Sequence, residues 1–168
     1  MLSAPRILLV DDHSIVRTGV RSLLIQSMPE AVIGEAWDEQ SVRDAMAASG
    51  YELIISDLTF SHANNKSYFV STMLPLYGST PVLILSMQPP DLFARKFLEM
   101  GVRGYIHKEA PDFQISEGVH QVLEKGFYRQ NLPFVVPSSE AVNPFDLLSE
   151  RGMEVADVYS LQEAETLR

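Results

Sequence analysis

Cysteine is absent from this 168-residue chain, which excludes disulfides, thiolate catalysis and thiolate metal sites. Basic residues are scarce: 13 Lys and Arg stand against 22 Asp and Glu, for a net charge of −9. Such a field repels a phosphate backbone unless the bases are concentrated, and Arg17, Arg21, Arg43, Arg95, Lys96, Arg103 and Lys125 are scattered. Long apolar runs are missing too. The longest are strand-sized and no basic-then-apolar leader is seen, so neither a membrane span nor a signal peptide is expected, and the cytoplasm is the default compartment. His13, His62, His107 and His120 fall in no metal-ligand spacing; His13 reads as a support for neighbouring residues and the other three as solvated or structural.

What is present is ordinary globular composition, 46% hydrophobic and 21% charged, at a length that suits one well-buried domain plus an appendage. Strand-like runs alternate with helix-like segments five times, the pattern of a parallel sheet covered by helices on both faces. Right-handed crossovers restrict its topology. The first helix should start near Ser14 and bury Val16, Val20, Leu23 and Leu24. A second strand over Ala31 to Ala36 precedes a helix from about Ser41 to Ala48. Further on, Asp91 is the expected N-cap of a helix lined by Phe93, Phe97 and Met100 and ended at Gly101. The last of the five has Pro111 in its first turn, buries Ile115, Val119, Val122 and Leu123, and stops at Gly126. Between Thr59 and Pro81, Asn64, Asn65, Pro75 and Gly78 predict a short or bent helix.

Four of the apolar runs deliver polar residues at their ends. Asp57 follows Leu53-Ile54-Ile55-Ser56; Asp11 and Asp12 follow Ile7-Leu8-Leu9-Val10; Ser86 closes Val82-Leu83-Ile84-Leu85; Lys108 follows Gly104-Tyr105-Ile106-His107. In a parallel sheet all of them gather at the carboxyl edge, where open α/β folds bind ligands. Three carboxylates, a hydroxyl and an ammonium together imply phosphoryl transfer to Asp57. Each residue also has a plainer reading: Asp11 and Asp12 as a turn and helix cap, Asp57 as a strand-end turn residue, Lys108 as the partner of any acidic neighbour, Tyr105 as a packed aromatic.

The segments Leu9-Val10-Asp11-Asp12-His13, Ser56-Asp57-Leu58, Leu85-Ser86-Met87 and Gly101 to Ala110 (Gly-Val-Arg-Gly-Tyr-Ile-His-Lys-Glu-Ala) resemble the receiver domain of bacterial response regulators. The Asp-Asp-His start, Gly34-Glu35-Ala36 and the Gly-x-x-Gly-Tyr before the lysine are similar to the NarL/LuxR subfamily. The resemblance covers residues 6 to about 129 and implies a flavodoxin-like five-stranded parallel sheet of order 2-1-3-4-5. It further implies Asp57 as phosphoacceptor, Asp11 and Asp12 as carboxylates of a Mg²⁺ site with Asp57 and the Thr59 backbone carbonyl, Lys108 as phosphate partner, and Ser86 and Tyr105 as switch residues. Each role suits the residue: Mg²⁺ takes hard oxygens, and lysine is a compact cation for a phosphate oxygen. A movement of Ser86 towards the phosphate would shift Met87-Gln88-Pro89-Pro90 and open space for Tyr105 to turn inward.

A receiver over 1–130, a linker over 131–145 and a truncated start of a LuxR-type helix-turn-helix over 146–168 are therefore expected, the last because Leu148 to Val155 resembles the first helix of that output domain. The match fades after Val155, so DNA binding, usual for the subfamily, is doubtful for these residues, which hold no recognition helix. The implied partners are a histidine kinase or phosphotransfer protein and a second copy of the chain, and the implied activity is that of a self-phosphorylating and self-dephosphorylating switch rather than a turnover enzyme. Two other readings stay open. Phe60-Ser61 and Asn65 replace the family's usual Met-Pro turn and glycine, which leaves room for a receiver that signals without phosphate. A phosphohydrolase using an aspartyl-phosphate would want Asp-x-Asp after the first strand, where His13 stands instead.

Overall fold

The computed structural model describes residues 4–59 and 68–128. Strand β1 (Arg6–Val10), helix α1 (Ser14–Ser27), β2 (Val32–Ala36), α2 (Glu39–Ala48) and β3 (Leu53–Ser56) come first. The third helix, α3, is a π-helical stretch Phe69–Met73 continued by a short α-helical Leu74–Leu76. Then follow β4 (Val82–Ser86), α4 (Pro90–Glu99), β5 (Gly104–His107) and α5 (Asp112–Lys125). The strands form one sheet of order β2-β1-β3-β4-β5, every neighbour parallel, as expected.

Alternation along the strands divides the core into two layers, because successive side chains leave opposite faces. Leu8, Val10, Ile54, Ile84 and Tyr105 pack with Val42, Phe69, Met73, Tyr77 and Phe97 on the side of α2, α3 and α4. Ile7, Leu9, Leu53, Ile55, Leu83, Leu85 and Ile106 pack with Val20, Leu24, Ile115, Val119 and Val122 on the side of α1 and α5. Strands β3 and β4 are buried along their whole length, which is why they read as unbroken apolar runs. Burying one such Leu or Ile stabilises the fold by about 1.5–3 kcal/mol, so the two layers fix the sheet and with it the line of strand ends.

Several helix boundaries differ from expectation. Helix α2 begins at Glu39, two residues before Ser41, because Asp38 caps it: the Asp38 carboxylate accepts from Ser41 N at 2.7 Å while Ser41 Oγ accepts from Asp38 N at 3.0 Å. Asp91 is not the cap of α4; Pro89 takes that position and Asp91 lies in the first turn, where a carboxylate suits the positive end of the helix dipole. Pro111 caps α5 instead of standing inside it, and Leu123 is only partly buried. Helix α3 is short and irregular as expected, for Pro75 has no N–H to return to the preceding turn and its ring crowds that turn. Gly126 ends α5 at φ 81°, a conformation that costs a residue with a Cβ. The linker and helical tail expected after residue 130, His62 and the loop from Phe60 to Asn65 lie outside the described residues.

Candidate functional site

The ladder hydrogen bonds run one residue beyond the strands and so seat the polar residues at the sheet's carboxyl edge. Asp11 N donates to Ala36 O at 3.1 Å, Asp57 N to Val10 O at 2.8 Å and Lys108 N to Ser86 O at 2.8 Å. Asp11, Asp57 and Ser86 are buried, which for charged groups demands partners. Lys108 supplies them: its Nζ lies 2.7 Å from Asp11 Oδ2 and 3.0 Å from Asp57 Oδ2, with its side chain only 10% exposed. Burial on its own would lower the lysine's affinity for its proton; the hydrogen bond to Asp11 and the charges of Asp57 and Asp11 outweigh it and hold the ammonium above its ordinary range. Asp57 also accepts at Oδ1 from Thr59 N at 3.3 Å and from Thr59 Oγ1 at either oxygen, 3.4 and 3.3 Å.

The other strand ends meet the same edge. His13 stands at the N-cap of α1 with no side-chain capping bond, so Asp11 and Asp12 do not serve as the helix cap. Asp11 Oδ1 instead receives His13 N at 2.8 Å and the ring Nδ1 at 3.0 Å. The same Nδ1 sits 2.9 Å from Asp12 Oδ1, but the hydrogen-bond geometry is satisfied only at Asp11, which leaves Asp12 Oδ1 buried and without a hydrogen-bond donor. Carboxylate and imidazole atoms of Asp11, Asp12, His13 and Asp57 lie within 4.8 Å of one another. The three carboxylates of that set, one with an unsatisfied buried oxygen, offer the hard oxygen ligands that suit a divalent cation such as Mg²⁺, with the His13 ring beside them.

Ser86 Oγ accepts from Gln88 N at 3.1 Å, which folds the hydroxyl back along its own loop. Tyr105 is already inward in this structure: it is 1% exposed, stacks with Phe97 at 6.2 Å between centroids and donates its hydroxyl to Gln88 O at 3.1 Å. The space that a shift of Ser86 was expected to open is therefore filled by the ring here. Burial pushes the Tyr105 phenol up to about 12, against a smaller lowering from the Ser86 hydroxyl.

His107 is structural, one of the two roles expected of it: its Nε2 reaches Met87 O at 2.9 Å and its Nδ1 accepts from Glu109 N at 3.2 Å, so it bridges the loops that follow Ser86 and Lys108. Because Nδ1 accepts, Nε2 carries the hydrogen and donates to Met87. Arg17, one of the scattered bases, donates from its Nη1 to the Asp11 carbonyl at 2.7 Å. Nothing in the spacing marks either residue, since both contacts cross between separate loops or elements.

A doubly wound sheet of order 2-1-3-4-5 with clustered carboxylates and a lysine at its carboxyl edge defines a receiver-type α/β domain. Residues 7–120 match the response regulator receiver domain, and the chain belongs to that family; it is a two-component response regulator. Among curated proteins it is similar to the oxygen regulatory protein NreC of Staphylococcus carnosus, 27% identical over 161 residues that cover 89% of this chain and 74% of NreC. Among solved structures it is similar to a LuxR-family two-component response regulator from Aurantimonas, with 29% identity, TM-score 0.62, and coverage of 74% of this chain and 88% of that one. A chemotaxis response regulator of Vibrio cholerae, 22% identical, shares the fold at TM-score 0.58 over 71% of this chain and 99% of its own. Receiver domains bind Mg²⁺ at an acidic pocket, work with histidine kinases and are typically switches rather than turnover enzymes. No helix among the described residues is long and apolar enough to cross a membrane.

Proposed function

We propose that Asp57 is the phosphoacceptor of this receiver and that the pocket around it is built for transfer from a phosphohistidine of a kinase or phosphotransfer protein. A carboxylate oxygen of Asp57 attacks phosphorus, the phosphorus–nitrogen bond breaks, the electron pair leaves with the imidazole, and an acyl phosphate forms on Asp57. Asp11, Asp12 and Asp57, with the Thr59 carbonyl, would hold Mg²⁺, which when bound supplies charge neutralisation to the transferring group. Lys108, already beside Asp57 Oδ2, is placed to pass from carboxylate to phosphate oxygen. Ser86 Oγ accepts from Gln88 N and would donate its own hydrogen to another phosphate oxygen. Hydrolysis by water returns the carboxylate, so the protein resets itself without turning over a diffusible substrate.

The observation that carries this reading is Asp57: a 2%-exposed carboxylate at the end of β3, within reach of an ammonium and of a carboxylate oxygen that lacks a donor. The output we infer is phosphate-dependent association with a second copy or another protein in transcription regulation, in the cytoplasm. The segments read as linker, 131–145, and as the truncated start of a helix-turn-helix, 146–168, would follow the receiver. The test is intact mass after incubation with Mg²⁺ and acetyl phosphate. The wild type should gain one phosphoryl group and Asp57→Asn none; stable labelling of Asp57→Asn, or no gain by folded wild type, would sink the assignment.

A further inference from the structure

Asp11 is held at every polar atom it has. Its N–H donates to Ala36 O at 3.1 Å, Oδ2 takes Lys108 Nζ at 2.7 Å, Oδ1 takes His13 N at 2.8 Å, and its carbonyl takes Arg17 Nη1 at 2.7 Å. The first and last of these lead to the same place. Ala36 ends the edge strand β2, and Arg17 is itself anchored on that strand: its Nε donates to Glu35 Oε2 at 3.1 Å and its guanidinium lies 5.7 Å from the centroid of the Trp37 ring. Glu35 is in turn steadied from the other side by Arg21 Nη1, 3.3 Å from Oε1.

We propose that Arg17 is a positioning residue for the cation pocket, clamping the Asp11 carbonyl to β2 so that the main chain carrying Asp11 and Asp12 is set before any ion arrives. The inference rests on the reading of that pocket as a Mg²⁺ site. Two points support it. The Arg17 side chain is only 12% exposed and its charge is matched by Glu35, so it is a fixed group and not a surface charge. Arginine's rigid fork can serve a carbonyl and a carboxylate at once, which a single ammonium does less well. A strand end left free to move must be ordered when the ion binds, and that ordering weakens binding. Arg17 removes that requirement without touching the ion.

Calorimetric titration of Mg²⁺ into the full chain, wild type against Arg17→Met, tests this, because methionine keeps most of the apolar stem and removes the donors. Outer partners of metal ligands typically change affinity by 10–100-fold, and we expect Arg17→Met to weaken Mg²⁺ binding by roughly 10-fold. Arg17→Lys should recover part of the loss. The rate of phosphoryl uptake from acetyl phosphate in Arg17→Met should return to the wild-type value at saturating Mg²⁺, a recovery that general loss of structure would not produce. An unchanged Mg²⁺ affinity in folded Arg17→Met, or a rate that stays low at saturating Mg²⁺, overturns the proposal. If Arg17→Met fails to fold, Glu35→Gln decides: a smaller weakening in the same direction is expected, and none overturns it. A folded wild type that binds no Mg²⁺ sinks the pocket reading itself, whereas equal affinities in wild type and variant sink only the role of Arg17.

Discussion

Lys108 carries the sharpest consequence of the geometry, because one ammonium compensates two buried carboxylates. The perturbation is Lys108→Met, close in length and apolar. Each contact, 2.7 Å to Asp11 and 3.0 Å to Asp57, amounts to about 5–6 kcal/mol of attraction at an effective dielectric of 20. Desolvation cancels much of that, and measured losses on removing one partner of a buried pair are about 3–5 kcal/mol, since the charges left behind are uncompensated. By contrast the exposed pair Arg95–Glu99, 48% and 60% exposed, should contribute only about 0.3–0.5 kcal/mol. Lys108→Met should therefore lose at least about 3 kcal/mol in chelator, a large part of a small domain's stability. It should also bind Mg²⁺ more tightly than wild type, because the ammonium competes with the cation for Asp11 Oδ2 and Asp57 Oδ2. Excess Mg²⁺ at 100 times Kd would then restore about 2.7 kcal/mol. Urea unfolding followed by circular dichroism, with chelator and with Mg²⁺, reads the stabilities and calorimetry the affinity. A loss below about 1 kcal/mol in chelator, or weaker Mg²⁺ binding than wild type, would refute the reasoning.

Asp12→Asn should have the opposite sign without metal: it removes a charge from a crowded acidic cluster and from a buried oxygen that lacks a donor, so metal-free stability should rise by about 1–2 kcal/mol while Mg²⁺ affinity collapses. Unchanged affinity in calorimetry would exclude Asp12 from the cation site. The ammonium of Lys108 is held above its ordinary range, so its stabilisation is complete below the unfolded-state value of about 10.4 and is lost as pH rises through the folded-state value. The phenols of Tyr77 and Tyr105, both raised by burial, destabilise the fold in the same alkaline window. A steeper fall of urea midpoint above about pH 10 in wild type than in Lys108→Met isolates the lysine, and parallel profiles would contradict it.

The residues themselves determined the sheet and the set of groups at its edge. Five apolar runs in alternation with helical periods lead to a parallel sheet because hydrophobic period is a local property, visible wherever side chains must leave alternate faces of a strand or one face of a helix. The polar residues that end those runs, Asp11, Asp12, Asp57, Ser86 and Lys108, were legible for the same reason: a parallel strand delivers whatever follows it to one edge. Caps were less so. Asp38 and Ser41 form a reciprocal cap although the sequence points to Ser41 as the helix start, Pro89 holds the cap position expected of Asp91, and Pro111 lies at the N-cap of α5 rather than in its first turn. These differences amount to one or two residues, which is where local signals compete on nearly equal terms. What only the tertiary structure decided is which partner each group chose. Lys108 had several acidic neighbours available and joined Asp11 and Asp57; Tyr105 could stand out or in and lies against Phe97; Arg17 reaches a carbonyl at the end of β1 while resting on β2; His107 ties two loops together. Such choices depend on distances between segments far apart in the chain, set by strand register and by the packing of α1 and α4 on opposite faces, and no period along the sequence encodes them.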